Sequence, residues 1–172
     1  MLKKIIVVPL FLLAACSFGN RELRYCPNVQ VTPDYNHVTK MYGNEVWYTV
    51  EIVGYEGYCR YDEKKGSTNA YIAPVFEIVR YYDQGGKNIE FPYYVNTEYN
   101  QNKLMGRQPH SFKTSLAVPN KKYVLTGKEV MVQIPNGEPG YQINLELALT
   151  RRQYQYNQLQ GLQFKGATDD RL

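Results

Sequence analysis

The residues of this chain best suited to chemistry are its three cysteines, Cys16, Cys26 and Cys59, and its two histidines, His37 and His110. Cys16 closes the run Leu13-Ala14-Ala15-Cys16, the pattern of a bacterial lipobox. Small residues at 14 and 15 let an extended backbone enter a peptidase site. The thiol that follows offers an acceptor for a diacylglyceryl group. Upstream lie Lys3 and Lys4 and then an apolar run from Ile5 to Ala15, the order of a secretory leader. As a helix at ~1.5 Å per residue this run covers roughly 16 Å, about half the hydrocarbon core of a bilayer. It reads as a cleaved signal peptide over residues 1–15. An ordinary leader followed by chance by a cysteine is the competing reading. Stable lipid anchoring needs more than one acyl chain, at ~0.8 kcal/mol per buried methylene. Ser17 stands where an Asp would favour retention in the inner membrane of enteric bacteria. The expected location is therefore the outer membrane, with the domain facing the periplasm, and the periplasmic face of the inner membrane as the alternative. The lipid bilayer, reached through Cys16, is the first expected partner.

With Cys16 assigned to lipid, Cys26 and Cys59 remain as an even pair in an oxidising compartment, which reads as a disulfide. The loop it closes, from 26 to 59, spans 33 positions and contributes roughly 3–4 kcal/mol in the chain-entropy treatment. Two free thiols are the alternative. A metal site lacks a histidine or further cysteine at ligand spacing. His37 and His110 form no metal-binding pair, and each reads as a surface or structural histidine. No Gly-x-Ser-x-Gly elbow and no Walker loop occur. The acids Asp34, Glu51, Asp62 and Glu63 show no spacing that marks an acid/base pair, although separation in space is not readable from sequence. Asp62-Glu63-Lys64-Lys65-Gly66-Ser67 reads as a hairpin tip without the alternating ligands of a Ca²⁺ loop. No catalytic, cofactor-binding or metal residue is assigned.

The elements that must position these residues come from a chain of 172 residues. Removing 15 leaves 157, suited to one domain. Two of the 20 basic residues lie in the leader, so 18 face 16 acids and the mature charge is +2. That balance carries no electrostatic footprint for nucleic acid. The 17 tyrosines suit half-buried pleated surfaces, and an exposed cluster of them would suit a binding surface.

Strand signals run along the mature chain. Val46–Val53 is β-rich. Ala70–Tyr82 alternates, with Ile72, Phe76 and Ile78 on one face, and Asp83-Gln84-Gly85-Gly86 turns it toward Ile89–Glu98, which suggests a hairpin. Ser111–Val118 and Glu129–Ile134 follow, the latter with Val130, Val132 and Ile134 inward. Tyr141–Thr150 alternates best, with Ile143, Leu145, Leu147 and Leu149 opposite Gln142, Asn144 and Glu146. About seven such strands predict an all-β, single antiparallel sandwich of immunoglobulin-like type over residues 26–160. Arg151–Leu159 predicts one closing helical turn. Residues 16–25 read as a lipidated tether and 161–172 as a flexible tail. The bridge from Cys26 to Cys59 need not be the inter-sheet bridge of antibody domains.

Several of these stretches together resemble a group of uncharacterised alphaproteobacterial envelope lipoproteins. The similar pieces are Cys26-Pro27-x-Val29, Gly54-Tyr55-x-Gly57-x-Cys59, Phe91-Pro92-Tyr93-Tyr94-Val95, Val132-Gln133-Ile134-Pro135, Gly140-Tyr141-Gln142-Ile143 and Leu149-Thr150-x-x-Gln153-x-x-Tyr156-Asn157. Tyr154 departs from the leucine expected there. The resemblance implies a lipid-anchored periplasmic domain and transfers no catalytic residue. The expected function is a non-enzymatic structural or protein-interaction module with an envelope protein as partner. A carrier or chaperone for a hydrophobic ligand would need an apolar cavity between the sheets. An envelope-polymer hydrolase would need a cleft of convergent carboxylates or a histidine.

Overall fold

The computed structural model describes residues 25–168 apart from 84, 102 and 136–138, with side chains up to residue 159. Cys16 and the expected leader lie outside the described residues. The fold is mostly β, with two sheets and one C-terminal helix.

In chain order the strands are β1 (Asn28–Val31), β2 (His37–Tyr42), β3 (Glu45–Asp62), β4 (Ser67–Arg80), β5 (Asn88–Tyr99), β6 (Lys103–Ser115), β7 (Lys122–Thr126), β8 (Val130–Pro135) and β9 (Tyr141–Leu147), followed by helix α1 (Arg151–Thr168). One sheet has the order β1-β9-β5-β6. The other runs β2-β3-β4, and the far edge of β4 is shared by β7 against Val75–Val79 and β8 against Ser67–Ile72. The pairs are antiparallel except β1 with β9, which is parallel.

Period-two alternation explains the core. In β4 every second residue from Ala70 to Arg80 is buried, including Ile72, Phe76 and Ile78. Ile89, Phe91, Tyr93 and Val95 of β5, Val130, Val132 and Ile134 of β8, and Ile143, Leu145 and Leu147 of β9 are buried as their patterns predict. The two sheets meet through aromatic rings. Phe76 lies 5.0 Å from Phe91, 5.3 Å from Tyr93 and 4.8 Å from Phe112, all on the opposite sheet. Such tilted contacts add to area burial because ring edges meet ring faces. The buried Tyr48 hydroxyl crosses the same gap and donates to the Glu90 carbonyl at 2.9 Å. Glu90 precedes the part of β5 that pairs with β9.

The structure corrects several expectations. Nine strands are described, against about seven expected; β1, β2 and β7 are short and alternate weakly. Strands β4 and β5 do not form a hairpin: the turn between them carries the chain from one sheet to the other. The hairpins are β3–β4 and β5–β6. Strand β3 does not stop at Gly54 but passes it through a bulge at Val53 and continues to Asp62. Helix α1 extends well beyond one turn and takes in residues 161–168 of the expected tail. The hairpin tip at 62–67 stands as expected. The Asp62 carboxylate accepts the backbone N–H groups of Lys64 and Lys65 at 3.1 and 3.2 Å, and Gly66 supplies a positive φ of 58°.

Cys26 and Cys59 are disulfide-bonded. Cys26 enters β1 in one sheet and Cys59 belongs to β3 in the other, so the bridge does tie sheet to sheet. Tyr25, assigned above to the tether, packs against the core, and its hydroxyl donates to the Tyr141 carbonyl at 3.5 Å.

Candidate interaction site

An open cleft of about 730 Å³ lies between the β2–β3 hairpin and the start of α1. Its position follows from a short series of local bonds. Thr150 begins the helix with a capping box. The Thr150 hydroxyl accepts the Gln153 N–H at 3.3 Å, while the Gln153 side-chain oxygen accepts the Thr150 N–H at 2.9 Å. One turn on, the Asn157 amide donates to the carbonyls of His37 at 2.7 Å and Asp34 at 3.0 Å. Asp34 holds a φ of 65°, a conformation that Asp tolerates better than most residues, and its turn presents that carbonyl. Tyr154, on the same helix, stacks on Tyr35 at 4.8 Å. These contacts explain Thr150, Gln153 and Asn157 of the Thr-x-x-Gln-x-x-Tyr-Asn spacing as helix capping and docking.

The cleft that results has Met41, Val46 and Tyr156 as apolar lining and Lys40 and Arg152 as cations, with no acid among its lining residues. Met41 and Tyr156 are about half exposed, at 47 % and 51 %. Tyr25 lies at the other end of the sandwich, beside Tyr141 and Asn100.

The outer face of the first sheet carries a second polar assembly. Glu146 accepts the Asn96 amide at 2.7 Å and the Thr32 hydroxyl at 3.1 Å, and lies 3.8 Å from the Arg107 guanidinium. Arg107 also covers the Tyr94 ring at 3.7 Å. Asn96 and Asn144 are buried although their strand positions face outward, because longer side chains on flanking strands close over them. Glu146 is the one carboxylate of this group, and its bonds go to protein donors, so the assembly acts as a structural clamp across β1, β9, β5 and β6.

The two histidines lie in different sheets. His37, in β2, sits opposite Glu51 and 3.2 Å from the Thr39 hydroxyl. His110, in β6, stacks on Tyr93 at 5.3 Å, and its Nε2 is buried with no hydrogen-bond partner among the described residues. Burial lowers both pKa values from the usual 6.5; nearby Glu51 partly opposes this at His37, and Lys128 adds to it at His110. As pH falls below about 6.5, the unfolded chain takes up these protons before the folded chain does. Stability contributed by the neutral rings is therefore complete above the unfolded value and is lost as pH falls through the folded values. Urea unfolding between pH 7.5 and 5 is expected to show this loss. A His37→Gln/His110→Gln variant is expected to have a flatter profile, and an unchanged slope would refute the assignment. The acids Asp34, Glu51, Asp62 and Glu63 are spread over the turn before β2, β3 and the hairpin tip. Among the described residues no group of three or more His, Cys, Asp or Glu side chains is placed to hold a metal ion.

No protein-family model, curated protein or solved structure matches this chain.

Proposed function

We propose that the chain is a lipid-anchored envelope lipoprotein, akin to the alphaproteobacterial group that it resembles. In this reading Cys16 carries the lipid after removal of residues 1–15, and the domain works in the periplasm, on the outer membrane, as a non-enzymatic interaction module. The observation that carries the interaction reading is the cleft beside α1. It combines exposed Met41 and Tyr156 with Lys40 and Arg152 at the end of the domain away from Tyr25. Aromatic and methionine side chains are favoured at interface centres, and the cationic lining suits an acidic segment of an envelope protein. The immunoglobulin-like reading of the sandwich belongs to the same proposal, supported by two sheets, antiparallel but for the β1–β9 pair, joined by a disulfide.

The carrier reading is weaker, because Phe76, Val50, Ile78, Val95, Ile143 and Leu145 fill the space between the sheets at 0 % exposure. The hydrolase reading is weaker too, because the cleft beside α1 has neither a carboxylate nor a histidine among its lining residues.

A photo-crosslinking residue at Tyr156, in cells making the full chain, tests the module. Protein adducts are expected, and Lys40→Glu/Arg152→Glu should deplete them. Adducts insensitive to that double reversal, or none, would count against the cleft. A stoichiometric apolar molecule extracted from the purified protein would favour the carrier instead.

A further inference from the structure

Among the described residues the second half of β3 is an open sheet edge. Strand β2 pairs with β3 only through Glu45–Glu51, and the Asn36 carbonyl takes the Ile52 N–H at 2.8 Å. Beyond the bulge at Val53, β4 pairs with one side of β3 as far as Asp62. Among the described residues no strand pairs with the other side. Val53, Tyr55, Glu56, Gly57, Tyr58 and Arg60 are all exposed there, Tyr55 at 43 % and Tyr58 at 45 %. Natural proteins protect a long edge of this kind or use it.

The residues along this edge read nearly the same in both directions. Glu56, Tyr58 and Arg60 pair with Ala73, Tyr71 and Asn69 of β4, at alternate positions, so they share one face of the strand. Tyr58 stacks on Tyr71 at 4.8 Å, with the Arg60 guanidinium 5.2 Å from the Tyr58 ring. Now place a second β3 antiparallel to the first, with a two-fold axis through Tyr58. Tyr58 meets Tyr58, and Glu56 of each copy meets Arg60 of the other, twice. On the opposite face Gly57 meets Cys59, so the residue beside the disulfide has no side chain. Glycine is already demanded at 57, because a Cβ there would lie 2.6 Å from the Tyr71 carbonyl oxygen.

We infer that a second copy of this chain pairs along the β3 edge, joining two sheets into one through a Tyr58-centred antiparallel ladder. Charge complementarity selects this register. A shift of two residues in either direction removes both Glu–Arg pairs, and opposite charges directly across strands stabilise while like charges repel. Residues 56–60 would add about four to six inter-chain backbone hydrogen bonds. Cys26 is bonded to Cys59, next to the axis, so the N-terminal segments of the two copies start close together. Anchoring to one bilayer would raise their effective concentration. The pairing itself does not rest on the anchor or on the cleft beside α1.

The test uses the full chain with its leader, produced in cells, and a photo-crosslinking residue in place of Tyr55. Illumination is expected to give an adduct of twice the monomer mass that joins two copies at β3. Glu56→Arg alone and Arg60→Glu alone each place like charges opposite one another at two points. Each should cut the adduct about tenfold, at ~0.7 kcal/mol per pair. The double variant Glu56→Arg/Arg60→Glu exchanges the charges and should restore it. Should either single reversal shift the thermal transition, the neutral changes Glu56→Gln and Arg60→Gln replace it, with a smaller expected loss of adduct. Three results would overturn the inference: a crosslink within one chain to residues 17–24, adducts only to other proteins, or a dimer adduct indifferent to charge reversal. The cleft is probed at a different position, so the two readings fail separately.

Discussion

The Cys26→Ala/Cys59→Ala variant is expected to be about 3–4 kcal/mol less stable than the parent. The bridge closes a loop of 33 positions, and breaking it restores that freedom to the unfolded chain. For a domain of this size the loss lowers the melting temperature by roughly 10 °C. The bridge also has a local task. Strand β1 has four residues, and beyond Ile52 the outer edge of β3 lacks a neighbouring strand among the described residues. Cys26–Cys59 ties these two weakly held segments together. Unfolding of the parent under reducing conditions should reproduce the lower stability, while the double variant should not respond to reductant. A double variant as stable as the parent, or one still sensitive to reductant, would show that the bridge contributes little.

Arg80→Ala is expected to cost a similar amount, about 3–5 kcal/mol. Arg80 is buried at 2 % exposure at the end of β4. Its guanidinium donates to Asp83 at 2.5 Å and to the Ala117 carbonyl at 2.8 Å. Its backbone carbonyl accepts the Asn120 N–H at 2.6 Å. One side chain thus joins the β4–β5 turn to the β6–β7 connection, where the chain twice changes sheets. Truncation removes the buried methylenes and leaves the Ala117 carbonyl without this donor. Arg80→Met keeps much of the packing and should recover part of the loss. Asp83→Asn should cost only about 1 kcal/mol, because the Asp83 side chain is 74 % exposed and its charge is screened. Urea unfolding of the three variants tests this order. Arg80→Ala within 1 kcal/mol of the parent, or Asp83→Asn as damaging as Arg80→Ala, would disprove the account.

A signal for Arg80 was present in the chain. Ile72, Phe76 and Ile78 set an inward parity, and position 80 continues it. An arginine at an inward position demands partners, but their identity depends on which loops close over the strand end. The Thr150–Gln153 capping box was likewise legible as Thr-x-x-Gln. That Asn157 would reach the carbonyls of Asp34 and His37 was not, since those groups lie more than 100 positions away. The exposed edge of β3 was hidden for a related reason. The strand Val46–Val53 read as ending at Gly54, whereas the structure uses a bulge and continues to Asp62.

From the sequence by itself came the shared faces of β4, β5, β8 and β9, the cysteine pair left after Cys16, and the polar tip at 62–67. These are local or countable properties: alternation marks a half-buried strand without reference to its neighbour, and three cysteines less one leave a pair. Only the tertiary structure decided that β4 and β5 part into different sheets and that the disulfide spans them. It alone revealed that among the described residues no strand covers the outer edge of β3 beyond Ile52. An apolar face must be covered, but any matching face can cover it, and closure of the whole core makes that choice.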